Sequence, residues 1–153
     1  MSLGRGGLVF AAMVAMTLSG CAEPILETSA IPPGIRTGEL VFHRTNWFEC
    51  AVAVYRLDEA LAKLVRAEGL AALPAATEEY TWATTPAQAD HYDMSVEAGN
   101  RETSMDCLKG AEPYSELFAK YLYGQGGFYT ESGNGGTSII APTEGLLFVG
   151  GYQ

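Results

Sequence analysis

The first half of the chain shows apolar and polar positions arranged as two strands followed by a helix. The segments 39–44 (ELVFHR) and 49–57 (ECAVAVYRL) are short apolar runs that predict two neighbouring strands. A helix is predicted next, because apolar residues then recur at helical spacing: Leu57, Leu61, Leu64 and Val65. Asp58 is suited to cap the start of this helix, and Gly69 is suited to end it.

The second half predicts one more helix and then a series of strands. Residues 78–84 (EEYTWAT) predict a strand, and the polar stretch 86–109 after it is interpreted as a long loop. A second helix is predicted from Pro113, with an apolar face that ends before Gly124: Leu117, Phe118, Tyr121 and Leu122. From residue 127 onward, short apolar runs alternate with glycine-rich turns, which predicts a three-stranded β-meander.

Together these elements predict an α+β fold, with one small domain over residues 39–153. The domain has an antiparallel sheet, two helices and the C-terminal β-meander. The segment before it, 21–38, carries three prolines and no clear hydrophobic period. Such a composition predicts a tether rather than a packed element.

The N-terminus has the layout of an export signal. Arg5 precedes an apolar run at 8–18 (LVFAAMVAMTL), which is too short for a bilayer span of roughly 20 residues. A buried core helix is the alternative, but such a helix shows a polar face. Apart from Thr17 this run has no polar residue, so residues 1–20 are predicted to be a signal peptide.

The end of this segment, Leu18-Ser19-Gly20-Cys21, resembles the lipobox of bacterial lipoproteins, and the resemblance covers residues 1–21. It implies cleavage between Gly20 and Cys21 and acylation of Cys21 with fatty acids such as palmitate. Several acyl chains hold a protein stably on a membrane. Residues 21–38 are then a lipidated tether.

The residue after the anchor bears on the choice of membrane. In Gram-negative lipoproteins an aspartate at this position resembles an inner-membrane retention signal, and this chain has Ala22 instead. The resemblance therefore implies transfer to the outer membrane, with the domain facing the periplasm.

Charge limits the partners of the mature chain. Removing residues 1–20 from the 153 leaves 133 residues, and it removes one of the nine basic residues and none of the eighteen acidic ones. The formal charge becomes 8 − 18 = −10. Such a surface repels nucleic acid, so no DNA or RNA partner is expected.

Two cysteines, Cys50 and Cys107, remain after the anchor. An even pair in an exported chain predicts a disulfide. Two free thiols or a redox pair are the alternatives, although the CxxC spacing typical of a redox site is missing.

Few residues suggest catalysis. His91 stands between Asp90 and Asp93 and could bind a metal or act as a general base, but the spacing matches no established motif. A solvated loop histidine is the simpler interpretation. GxSxG and SxxK nucleophile motifs are missing, so no catalytic residue, metal ligand or cofactor is assigned.

The sequence thus favours a non-enzymatic, membrane-anchored envelope lipoprotein. Its domain is expected to bind another envelope component, either a protein complex or peptidoglycan. The alternative is a tethered, hydrolase-like envelope enzyme that uses His91 with Asp90 or Asp93.

Overall fold

A computed structural model describes residues 30–46, 50–87, 96–132 and 136–151. Within these ranges the chain forms a six-stranded antiparallel sheet and three α-helices, and the predicted α+β class is confirmed. The strands are β1 (Thr37–Asn46), β2 (Cys50–Leu57), β3 (Ala83–Thr84), β4 (Phe128–Glu131), β5 (Gly136–Ala141) and β6 (Leu146–Gly151). The helices are α1 (Glu59–Glu68), α2 (Val96–Cys107) and α3 (Tyr114–Tyr123), and a 3-10 turn at Gly69–Ala72 follows α1.

The N-terminal hairpin and the C-terminal meander meet in the middle of the sheet. The strand order is β1-β2-β6-β5-β4-β3, so the C-terminal meander of β4, β5 and β6 joins the first hairpin through β6. Ala53 of β2, for example, lies opposite Val149 of β6. Every residue of β6 is buried, as are all but one of β2. This burial explains why these strands have nearly continuous apolar runs.

Alternate residues of each strand point to opposite faces of the sheet, and each face has its own helical layer. We call them the α2–α3 layer and the α1 layer. The core of the α2–α3 layer contains Val52, Val54, Leu108, Phe118, Tyr121, Leu122, Ile139 and Phe148. The core of the α1 layer contains Ile35, Ala53, Tyr55, Leu61, Val65, Leu73, Trp82, Ile140, Leu147 and Val149.

Helix α1 begins and ends at the predicted residues. The Asp58 carboxylate accepts a hydrogen bond from the Leu61 backbone N–H at 3.2 Å, and Gly69 ends the helix with a φ of 63°. Leu61, Ala62 and Val65 are buried on its inner side. The prediction for Leu64 is wrong, since this side chain points outward and is 43% exposed.

Helix α3 also follows the prediction. It begins directly after Pro113 and ends before Gly124, whose N–H donates to the Lys120 carbonyl. Phe118 is fully buried and meets Phe148 of β6 edge-on, with the ring centroids 5.6 Å apart. The apolar face of α3 therefore packs directly on the central strands.

The folded region starts earlier than predicted. The proposed tether reached residue 38, but β1 begins at Thr37, Ile35 is buried and Ile31 packs on the α1-layer core. Ile35 is buried and Ile31 is partly buried although both lie outside any regular element, so the segment shows no hydrophobic period. Only residues 22–29 remain between the predicted anchor and the described fold.

Two further predictions need correction. Of the strand predicted at 78–84, only Ala83 and Thr84 pair with β4, while Trp82 packs into the core from an irregular segment. The stretch 86–109 is not a loop throughout, because α2 occupies 96–107. No apolar stripe marks this helix, and the buried side chains over residues 101–107 are the small Ser104 and Cys107. Ser104 lies directly over Gly150 of β6.

The contact between α2 and β6 predicts a site where one methyl group destabilises the fold. A Cβ at Gly150 would lie 2.9 Å from the Ser104 Cβ, closer than real side chains approach. We expect Gly150→Ala to lower the free energy of unfolding by about 1–3 kcal/mol, because α2 must shift off the sheet. Urea denaturation measures this change.

The matched control is Gly38→Ala in β1. A Cβ there has the Arg56 carbonyl oxygen at 3.8 Å, an ordinary contact. We expect this substitution to be neutral or slightly stabilising, because alanine also restricts the unfolded chain. Equal unfolding energies for the two variants would contradict the close packing of α2 on β6.

Candidate functional site

The predicted disulfide is present and joins the sheet to α2. Cys50 is the first residue of β2 and Cys107 is the last residue of α2, and their Cα atoms lie 5.8 Å apart. Both residues are buried, with 7% and 2% of their surface exposed. The prediction for this pair is confirmed, and the bridge fixes the C-terminal end of α2 on the core.

Arg44 of β1 reinforces the same end of α2. Its guanidinium Nη1 donates to the carbonyl oxygens of Cys107 and Lys109, each at 2.8 Å. Carbonyls at the end of a helix lack helical partners and carry partial negative charge, so a cation there is favourable. The guanidinium carbon also lies 5.5 Å from the centre of the Phe42 ring.

An ion pair attaches the middle of α2 to β4. The Arg101 guanidinium binds both carboxylate oxygens of Glu131. Its Nε donates to Oε1, and its Nη2 donates to Oε2 at 3.0 Å. The side chains are 20% and 16% exposed, so solvent screens this pair less than a surface pair. Two parallel hydrogen bonds also define the orientation of the arginine, which makes this a positioning contact for α2.

A second polar cluster joins α3 to the turn between β5 and β6. The buried Tyr121 hydroxyl donates to Glu144 Oε2 at 2.5 Å, and the Lys120 ammonium donates to Glu144 Oε1 at 3.0 Å. The same ammonium lies 3.3 Å from the Tyr121 hydroxyl. We call this set of three side chains the Glu144 cluster.

The Glu144 cluster perturbs the ionisation of its members. Burial is the largest single effect on Glu144 and disfavours its charged form, but the hydrogen bonds from Tyr121 and Lys120 outweigh it. The pKa of Glu144 is therefore lowered. The hydrogen bond to Glu144 is the main reason why the pKa of Lys120 is raised, with the Tyr121 contact second.

These shifts limit the chemistry of the cluster. A carboxylate with a lowered pKa is a poor proton acceptor, and an ammonium with a raised pKa is a poor proton donor at neutral pH. Burial likewise raises the pKa of Tyr55, and burial together with the charge of Glu79 raises the pKa of Tyr80. The Glu144 cluster is therefore better suited to holding α3 beside the turn between β5 and β6 than to proton transfer.

The lowered pKa of Glu144 predicts a pH-dependent contribution to stability. Its carboxyl binds protons less readily in the folded chain, so its stabilisation is complete above the unfolded pKa and is lost as pH falls through the folded pKa. We expect Glu144→Gln to cost about 1 kcal/mol near pH 7 and progressively less in acid. Chemical denaturation at a series of pH values measures the difference.

Tyr121→Phe is the matched control, because it removes one hydrogen-bond donor to Glu144 and retains the Lys120 contact. It should show a smaller part of the same pH dependence. A cost of Glu144→Gln that stays constant down to strongly acidic pH would contradict this account.

The remaining predicted site residues lie outside the described residues. This applies to Cys21 with the rest of the lipobox, and to His91 with Asp90 and Asp93. In the described ranges, no group of three or more histidine, cysteine or acidic side chains could hold a metal ion. The helices in those ranges are all too short or too polar to cross a membrane.

The disulfide was predictable from the sequence, whereas the Arg101–Glu131 ion pair and the Glu144 cluster were not. Arg101 and Glu131 are 30 residues apart, and Tyr121 and Glu144 are 23 apart, so no local spacing indicates either contact. Comparison of the chain with family models, curated proteins and solved structures finds no match.

Proposed function

We propose that the chain is an exported lipoprotein, anchored in the outer membrane through Cys21, whose domain faces the periplasm and binds another envelope component. The observation that carries the proposal is the buried Cys50–Cys107 disulfide. Disulfides persist in oxidising compartments outside the cytosol, which is where a lipobox sends a protein. The disulfide and the N-terminal motif are independent features, and both favour export.

Binding is favoured over catalysis by the charged groups of the described residues. Glu131 is engaged by Arg101, Glu144 is engaged by Tyr121 and Lys120, and Arg44 binds backbone carbonyls. A catalytic acid or base needs a pKa near the working pH. The pKa shifts described above move each affected group further from neutrality, which suits a rigid scaffold better than an active centre.

Tyr123 offers a position from which to capture the partner. This side chain is 68% exposed at the C-terminal end of α3. An aromatic ring with a polar tip suits a protein or sugar contact. A photo-crosslinking phenylalanine analogue at Tyr123 is also a small change that should leave the fold intact.

The test is crosslinking in living cells with the full chain. We expect one discrete adduct, with an envelope protein or with peptidoglycan, that excess unlabelled chain reduces. His91→Ala in the same chain should leave the adduct unchanged, because His91 has no role in this proposal. No adduct, or an adduct that excess chain does not reduce, would contradict the binding function.

A further inference from the structure

We propose that the exposed side of α1 and of the 3-10 turn after it rests on the lipid bilayer, a proposal that relies on the lipid anchor at Cys21. We call this area the α1 surface. It is defined by Ala60, Leu64, Ala67, Leu70 and Ala71, all of which are exposed. The domain would then lie on the membrane with its α1 layer inward and its α2–α3 layer outward.

Exposed apolar side chains lie on α1 and on the 3-10 turn after it. Leu64 is 43% exposed and Leu70 is 42% exposed, and in the described ranges Tyr123 is the one other large apolar side chain with comparable exposure. Ala60 and Ala67 lie four residues before and three residues after Leu64, so the three share one side of α1. Burial in lipid would remove this apolar surface from water.

The first described residues pack on one particular side of the sheet. Ala30, Ile31 and Ile35 pack on the core of the α1 layer, the same core that α1 covers. The chain therefore enters the domain on the side of α1. The α1 layer is thus the side of the sheet on which the described chain begins.

The connection between Cys21 and the first described residue is short. Residues 22–29 span at most about 30 Å between Cys21 and Ala30 when fully extended. A domain of this size is itself about 35 Å across. Because this reach is shorter than the domain is wide, the connection prevents the α1 layer from facing directly away from the membrane.

Charge does not oppose this orientation. Helix α1 carries two acidic residues, Glu59 and Glu68, and two basic ones, Lys63 and Arg66, so it is neutral. The mature chain as a whole has a formal charge of −10. Anionic headgroups repel that charge, so the neutral α1 surface meets less repulsion than the average surface of the chain.

Site-directed fluorescence tests this contact in the full, processed chain. An environment-sensitive dye is attached to Leu64→Cys or Leu70→Cys, and the protein is reconstituted in phosphatidylethanolamine vesicles with a minor fraction of phosphatidylglycerol. Glu116→Cys, exposed on α3 in the opposite layer, is the matched control. We expect a blue shift at positions 64 and 70, with loss of emission when the acyl chains carry a quencher, and neither effect at 116.

The outcomes separate lipid from protein contact and separate this proposal from the anchor itself. A blue shift without quenching by lipid would assign the α1 surface to a second copy or another protein and overturn the proposal. Equal signals at 64, 70 and 116 on vesicle-bound protein would overturn it while leaving the lipid anchor intact. Labelled fatty acid reports acylation of Cys21 separately; if none is incorporated, the anchor and this orientation both fail.

Discussion

Loss of the Cys50–Cys107 disulfide is expected to lower the free energy of unfolding by about 4 kcal/mol, through the entropy that the bridge removes from the unfolded chain. The bridge joins residues 57 positions apart, so its loss frees a long loop. Denaturant unfolding of the oxidised and the reduced chain measures the change. Reduction is the cleaner comparison, because it breaks the crosslink while both sulfur atoms stay in the core.

Loss of the Cys50–Cys107 disulfide should also change amide hydrogen exchange locally, at the end of α2. Arg44 still binds the end of α2 after reduction, and Arg101 still binds Glu131, so α2 should remain in place but open more often. We expect amides near Cys107 to exchange through local opening of α2, faster than the core amides of β2, which should accelerate only through the lower free energy of global unfolding. The variant Cys50→Ala with Cys107→Ala should behave like the reduced chain, with an additional cost from the lost packing.

Two results would contradict these expectations for the disulfide. If reduction changes the free energy of unfolding by less than about 1 kcal/mol, the bridge does not limit the unfolded chain as the loop model requires. Exchange near Cys107 that is no faster than exchange in the core of β2 would show that the bridge acts through global unfolding alone and does not restrain the end of α2.

Cys21→Ser is expected to abolish lipidation and to block cleavage after Gly20. Serine has no thiol to receive the diacylglyceryl group, so the precursor should keep residues 1–20. Incorporation of labelled fatty acid should fall to background, and the protein should migrate at the size of the full chain.

The paired control uses the other two cysteines of the chain. Cys50→Ala with Cys107→Ala should be lipidated as efficiently as the wild type, although the domain is less stable. This contrast would assign different roles to the cysteines: Cys21 would be the lipid anchor, whereas Cys50 and Cys107 form the disulfide. Labelled fatty acid in Cys21→Ser at the wild-type level would rule out the anchor.

The elements that were predictable from sequence have a local cause. Helix α1 has its cap at Asp58, its stop at Gly69 and buried residues at helical spacing, and all three are visible in the sequence. The C-terminal strands are likewise marked by apolar runs between glycines. In both cases the signal lies within about a dozen consecutive residues.

The elements that were missed depend on distant partners. Helix α2 has few apolar residues, and it is held by the disulfide, by Arg101 with Glu131 and by Ser104 packed on Gly150. None of these contacts is visible until the sheet is assembled. Ile31 and Ile35 were assigned to the tether for a similar reason, because their burial depends on the α1 layer and not on a local period.

The residues of the candidate site show the same difference between local signals and contacts with distant partners. The Cys50–Cys107 pair was predictable, because two cysteines in a chain that is predicted to be exported have few other roles. The Glu144 cluster was not, because Lys120 and Tyr121 meet Glu144 only after α3 packs beside the turn between β5 and β6. Residues that act through tertiary contacts need the fold before their partners can be named.

The most direct test of the lipoprotein assignment is the intact mass of the chain purified from cell envelopes. The account predicts a chain that begins at Cys21, carries a diacylglyceryl group and an N-terminal acyl chain, and lacks two hydrogens for the Cys50–Cys107 disulfide. A mass that corresponds to the unprocessed chain, or to a chain that begins at another residue without lipid, would contradict it.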